Sequence, residues 1–372
     1  MRILILFSQP WRVGGAETHV EGLIQGLTEH QLILAVNKGS DIGKVQNLKK
    51  KYANLQIVEI QARGINLVRW VRDIFALANI IKNNDIEVVS AQQRTAGIWA
   101  YLLAKFTGIP FVVTMHDPWH RAFFKKAYAS LFPAMIVVSA NLKELLCRCF
   151  GFQEKQIEFI NNGIDFAAFI PQERQAARDQ LGITYAGKII LHVSRLSSVK
   201  GAVALALLDS MPYVLSRSGD SKLIVIGEGP LRTAVEEKAA AINLSFPDRI
   251  EILNFTDHIV DWYNAADLVV GEGRVAIEAI ACECPIVAIR NGSMFFGAVT
   301  PENIEEAIAV NFDGTVFSVT PEKIAEEIDK AFHIQDQQKR EMAQFIDSRL
   351  TITDMATKYC QIFMRVIRGS AR

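Results

Sequence analysis

The sequence predicts an α/β protein built from two doubly wound parallel-sheet domains in tandem, and three observations predict it. Short β-rich runs alternate with amphipathic stretches, the runs are apolar on both faces, and the alternation breaks once and then resumes. At 372 residues the chain is too long for one core. Two Rossmann-like domains are the expectation.

In the first series the strands are RILILF (2–7), LILAV (32–36), LQIVEI (55–60), IEVVS (86–90), PFVVT (110–114) and AMIVVS (134–139), with helices over 16–28, 66–82 and 95–106. Runs without polar alternation suit strands covered on both faces, as right-handed βαβ crossovers leave them. Residues 161–187 interrupt the series with NNGID, Pro171 and a polar helix ending near Gly182. A second series follows: KIILHVS (188–194), KLIVIG (222–227), RIEILN (249–254), DLVV (267–270) and PIVAI (285–289). The expected domains are 1–165 and 188–350, joined by a linker at 166–187 and followed by a segment at 351–372. Two such domains face each other across a cleft at the carboxyl ends of their sheets, where open α/β proteins bind ligands.

The charge is balanced at 40 Lys and Arg against 40 Asp and Glu, which argues against nucleic acid as a partner. It is unevenly spread. Residues 1–165 hold 19 basic and 13 acidic side chains, leaving 21 and 27 for the rest. The five cysteines include Cys147/Cys149 and Cys282/Cys284, spaced as reduced buried thiols and not as a zinc site, so no metal is expected. No apolar run has the length of a membrane span, and MRILILF is too short for a signal peptide. The expected location is cytoplasmic.

The loops after the strands carry the candidate chemistry. Gly14-Gly15 opens a helix, where backbone N–H groups can approach an anion. A dinucleotide reading fails, because LILAV ends at Asn37, and the second G-x-G, centred on position 228 (Gly227-Glu228-Gly229), has Arg232 where a third glycine belongs. After KIILHVS come Arg195 and Lys200. No acidic residue lies between Ile189 and Leu208, so both cations are expected to be free for a diphosphate. Gly271 and Gly273 open another helix, on which Glu278 either accepts from a ribose diol or pairs with Arg274 at i,i+4.

At these residues the sequence resembles the retaining, GT-B-fold glycosyltransferases of family 4, also called group 1. The matching stretches are GGAE (14–17), TMHD (114–117), NNGID (161–165), SRLSSVKG (194–201), IGEGP (226–230) and GRVAIEAIACECPIVA (273–288). The resemblance implies transfer of a sugar from a nucleotide diphosphate sugar with retention, the donor on the C-terminal domain, the acceptor on the N-terminal one, and a last helix within 351–372 packing back on the first domain. It implies that Gly14 and Gly15 meet the donor phosphates, that Arg195 and Lys200 stabilise the leaving diphosphate, and that His116 contacts the donor sugar. It also places the loop around position 228, Gly271, Gly273, Arg274, Val275 and Glu278 at the donor, and Arg94 with Asn162 on the acceptor side. The expected acceptor is a sugar or a lipid-linked acceptor, as in cell-envelope polysaccharide synthesis, and no cofactor is expected.

One position departs from the family. Eight residues before Glu278, where the family's E-x7-E element has its first Glu, stands Val270; Glu272 is a candidate replacement whose offset of two directs its side chain elsewhere. No D-x-D occurs, which argues against the metal-dependent GT-A class. The alternatives are a GT-B sugar-nucleotide epimerase or hydrolase, and a non-catalytic sugar-nucleotide-binding protein. Asp117 before Pro118 reads as a helix N-cap. The run 119–132 would place Trp119, Phe123 and Ala127 on one helical stripe beside Arg121, Lys125 and Lys126, either a core helix or a peripheral contact with the inner membrane face.

Overall fold

The structure, a computed structural model, describes the chain apart from residues 13, 62–66, 120–122, 199, 292–293, 315–318 and 371–372. Strand β1 (Arg2–Phe7) shows why an unbroken apolar run becomes a central parallel strand. Ile3, Ile5 and Phe7 enter one core cluster, Leu4 and Leu6 another, so successive side chains fill opposite faces of the same sheet. Around it lie β2 (Gln31–Asn37), β3 (Leu55–Ile60), β4 (Val88–Gln92), β5 (Phe111–Met115), β6 (Met135–Val137) and β7 (Ile157–Phe159). The order is β3-β2-β1-β4-β5-β6-β7, all pairs parallel. Sequence periodicity missed β7, whose three residues are too few to show a pattern. Helices α1 (Gly15–Gly26), α2 (Ile42–Lys51), α3 (Leu67–Asn83), α4 (Arg94–Thr107), α5 (Tyr128–Leu131) and α6 (Ala140–Leu145) complete this part.

The second series forms β8 (Lys188–Val193), β9 (Ser221–Ile226), β10 (Ile250–Leu253), β11 (Leu268–Gly271), β12 (Ile286–Asn291) and β13 (Met294–Ala298). Its order is β10-β9-β8-β11-β12-β13, with β13 antiparallel on the edge. The helices here are α7 (Arg174–Gln180), α8 (Gly201–Ser218), α9 (Arg232–Ser245), α10 (Ile259–Ala265), α11 (Arg274–Ala281), α12 (Ile304–Ala309), α13 (Pro321–Phe332) and α14 (Asp336–Asp347). The stretch 166–187, expected as a linker, carries α7. Arg178 on that helix is 6% exposed and lies 2.6 Å from Asp267, which also accepts from the Ile189 N–H, so this stretch is fastened to the second sheet.

The chain divides into two compact units, Ile164–Thr351 and Met1–Gly163 with Ile352–Arg372. Helix α15 (Ile352–Ser370) therefore belongs with the first sheet although it comes last. It packs on α1 so closely that a Cβ on Gly26 would sit 2.5 Å from Ala356 Cβ and 2.9 Å from the Ile352 carbonyl oxygen.

Three expectations need correction. Of the two readings of residues 119–132, Trp119 supports the core one: it is 5% exposed and packs edge-on against Tyr128, Phe132 and Phe150, but the continuous helix expected there is absent among the described residues. Arg121 lies outside the described residues, and Lys125–Ala127 forms a single 3-10 turn ahead of α5 in place of the continuing helix. Asp117 accepts from Gln93 Nε2 at 3.2 Å, and no described helix begins at Pro118. Third, Cys282 and Cys284 are buried, with burial pushing the Cys284 thiol up to about 12, but Cys149 is exposed.

Candidate active site

In each unit the strand order reverses once, between β1 and β4 and between β8 and β11, and the loops leaving the carboxyl ends there carry Gly14, Gly15 and Arg94 in the first and Arg195, Lys200, Gly271 and Gly273 in the second. In Ile164–Thr351 the loop after β8 holds Arg195 and Lys200, and the loop after β11 holds Gly271, Glu272 and Gly273. The N-termini of α8 and α11 follow directly, so partial positive charge accompanies both loops.

Backbone contacts explain the glycines around position 228. A Cβ on Gly227 would lie 1.9 Å from the Ser194 carbonyl oxygen and one on Gly229 2.6 Å from that of Leu196. The Leu196 N–H donates to Glu228 and its carbonyl accepts from Leu231, so this G-x-G carries the Arg195 loop on its back. Gly271 leaves room for Val275, whose Cγ1 is 2.6 Å from the would-be Cβ. Gly273 has φ +52 and donates its N–H to the Asn311 carbonyl at 3.0 Å.

Arg195 is exposed, and among the described residues no carboxylate pairs with it. Lys200, expected to be free, is not: its Nζ lies 2.9 Å from Glu272 Oε1. The absence of an acid nearby in sequence could not reveal a partner delivered by the adjacent strand's loop. Glu272 also approaches Arg290 Nε at 3.7 Å, and Arg290 is ion-paired to Asp313, which is 2% exposed. Asp313 follows two non-glycine residues in the left-handed region, Asn311 (φ +55) and Phe312 (φ +59), a turn that costs on the order of 1–2 kcal/mol per residue. Beside this cluster His192 is buried, bound through Nδ1 to the Val270 carbonyl at 2.8 Å and through Nε2 to Ser194 Oγ at 3.0 Å; burial pushes its pKa to about 4, so it is neutral.

Val270 itself is 0% exposed inside β11, so its side chain lies in the core, paired in register with His192 and Val287. Glu278 is 9% exposed; Arg274 Nε lies 2.7 Å from its Oε1 and the Tyr263 hydroxyl donates to its Oε2 at 2.9 Å. Burial raises the carboxyl's pKa against the pull of Arg274 and Tyr263. The i,i+4 pair is thus present, and a carboxylate with about four lone-pair sites retains capacity to accept more.

In the first unit Gly14 precedes α1 and Gly15 begins it, and a Cβ on Gly15 would meet nothing within 4 Å. Four residues on, buried His19 hydrogen-bonds Asn162 Oδ1 at 2.8 Å and the Tyr359 hydroxyl at 2.9 Å, and Tyr359 also meets Thr114 Oγ1 at 3.0 Å. His116 follows β5, lies edge-on to His19 at 4.6 Å, and hydrogen-bonds Gln92 Oε1 at 2.8 Å. Burial, then His19, holds its pKa well below the ordinary range, so the ring is neutral. Arg94 is half-buried at the start of α4. Sequence reading missed His19 and Gln92, although a lone His on the apolar stripe of α1 was a usable signal; nothing linked Arg290 to Asp313, 23 positions apart.

Residues 13–168 match Glycosyltransferase Family 4, and residues 173–346 match Glycosyl transferases group 1. The chain belongs to glycosyltransferase family 4. This glycosyltransferase is 25% identical over 319 residues to an uncharacterized glycosyltransferase of Methanocaldococcus jannaschii, covering 77% of this chain and 79% of that one. It is 22% identical over 355 residues, 86% of each chain, to a GDP-mannose-dependent monoacylated alpha-(1-6)-phosphatidylinositol monomannoside mannosyltransferase of Corynebacterium glutamicum. Among solved structures, Anabaena HepE in complex with UDP has a TM-score of 0.78 at 17% identity, covering 98% of this chain and 100% of that one; with UDP-glucose the values are 0.75 and 18%, at the same coverage. At these identities the likeness establishes the two-Rossmann GT-B fold.

Proposed function

We propose that this glycosyltransferase moves a sugar from a nucleotide diphosphate sugar to an acceptor hydroxyl with retention of configuration and without a metal. The observation that carries the reading is the meeting, at the carboxyl ends of neighbouring strands β8 and β11, of Arg195, Lys200 and the N-termini of α8 and α11. These groups oppose the charge that develops on a departing diphosphate. Glu278 accepts from the ribose diol. Gly15, where the fold itself places no atom near a would-be Cβ, lets backbone approach the phosphates. His116, with Nε2 on Gln92, uses Nδ1 as acceptor for a donor-sugar hydroxyl. The acceptor oxygen attacks the anomeric carbon on the face the diphosphate leaves, the C–O bond to phosphate breaks, and the acceptor proton passes to the leaving phosphate oxygen.

UDP and UDP-glucose in HepE support a nucleotide sugar as donor, and the Corynebacterium relative's name supports a lipid-linked acceptor. Arg94 and Asn162 serve the acceptor side. A peripheral membrane contact rests on Phe123 and Phe124, 82% and 88% exposed beside Lys125 and Lys126, since no described helix is long and apolar enough to cross a membrane. Vesicle co-sedimentation tests it: no binding to anionic vesicles at low salt removes the membrane from the reading.

A thermal-shift screen against UDP, GDP, ADP and their sugar conjugates tests the donor site. Turnover that requires an acceptor separates transfer from epimerisation or hydrolysis. Stabilisation by nucleotide sugar without any turnover would identify a binding module instead.

A further inference from the structure

Glu272 is the charged side chain at the β8–β11 switch point that the proposed chemistry does not use. Its Oε1 lies 2.9 Å from Lys200 Nζ and its Oε2 3.7 Å from Arg290 Nε, so one carboxylate spans two cations. Arg290 is in turn ion-paired to Asp313, whose carboxyl is 3% exposed. Negative charge on Glu272 opposes ionisation of the nearby Asp313 carboxyl. Asp313 is pushed up to about 8 by burial and by Glu272, against the pull of Arg290 and Lys200. The remaining neighbour, His192, is neutral. The left-handed turn at Asn311 and Phe312 is what presents Asp313 here, strain that the surrounding packing holds in place.

We propose that Glu272 is the resident counter-ion of the diphosphate site: it neutralises Lys200 while the site is empty, and an incoming nucleotide diphosphate takes Lys200 from it as Glu272 remains beside Arg290, itself held by Asp313. The inference rests on the reading of Lys200 as a donor-phosphate ligand. No large movement is needed, because the second oxygen of Glu272 already faces Arg290. The carboxylate competes with the ligand for one cation, which weakens binding of the diphosphate product and favours its release.

The test is UDP binding to the full chain by calorimetry. Glu272→Gln should bind UDP at least about threefold more tightly than the native protein at pH 7, and this gain should vanish in a Lys200→Ala background. Native affinity should fall between pH 7 and 9, where the phosphates of UDP are already ionised and ionisation of Asp313 adds negative charge; Asp313→Asn should remove that fall. Unchanged or weaker binding by Glu272→Gln, or a gain that persists without Lys200, overturns the counter-ion role while leaving the donor reading intact. Failure of the native protein to bind UDP, GDP or ADP takes down both.

Discussion

At the residue scale, the site turns on which charges have protein partners. Arg195 and Lys200 look alike in sequence, but one is exposed and unpaired with any described carboxylate, while the other is held by Glu272. Replacing either by Ala should lower turnover by well over tenfold with the melting temperature nearly unchanged, since one preorganised charge contact is worth roughly 2.7–4 kcal/mol of barrier. Near-native turnover in both variants would remove these residues from the chemistry. Asp313 offers a stability test. Its folded pKa of about 8 is above the ordinary 3.8, so between those values the native state holds a proton that the unfolded state has lost, and native stability falls as pH rises through that window. Relative to native protein, Asp313→Asn should therefore gain stability from pH 4 to 8, by no more than about 1.4 kcal/mol per pH unit, and level off above. A difference independent of pH in denaturant titrations would show that Asp313 ionises normally.

At the element scale, two glycines on α1 separate packing from function. Gly26 is required by the approach of α15, so Gly26→Ala should destabilise by about 1–3 kcal/mol through overpacking. Gly15 has no such neighbour, so Gly15→Ala should leave the melting temperature in place while reducing turnover. Equal stability losses in the two variants would mean that Gly15 is a packing glycine after all. Strand β11 gives the third case. Because Val270 points into the core, Val270→Glu should not restore a donor contact; it should bury an unpaired carboxylate, cost several kcal/mol, and appear as a large drop in denaturant midpoint. A stable and more active Val270→Glu protein would place that residue at the donor.

At the scale of the whole molecule, the chain crosses from one unit to the other and returns, so residues 352–370 complete a core begun at residue 2. Tyr359 and Phe363, both 0% exposed, join Ile3, Val20 and Leu23 in one cluster, and the Tyr359 hydroxyl satisfies His19 and Thr114. Removing residues 352–372 should speed amide exchange in α1 and β5 and leave β8–β12 protected; uniform loss of protection, or none, would contradict the division into units.

The sequence by itself determined the fold class, because strands apolar on both faces admit only a covered parallel sheet, and runs such as RILILF carry that information locally. It determined the family through motifs whose order survives along nearly the whole chain, and the candidate loops through their position after strands. Tertiary structure alone decided the ionic partners. Lys200 meets Glu272, Arg290 meets Asp313, and His19 meets Tyr359 across separations of tens to hundreds of residues, set by which strands lie side by side. It also decided that Trp119 is core, that position 270 faces inward, and that residues 174–180 form a helix fastened to the second sheet. Periodicity reports which face of an element is apolar, whereas charge pairing and close approach depend on neighbours that only the crossover topology supplies.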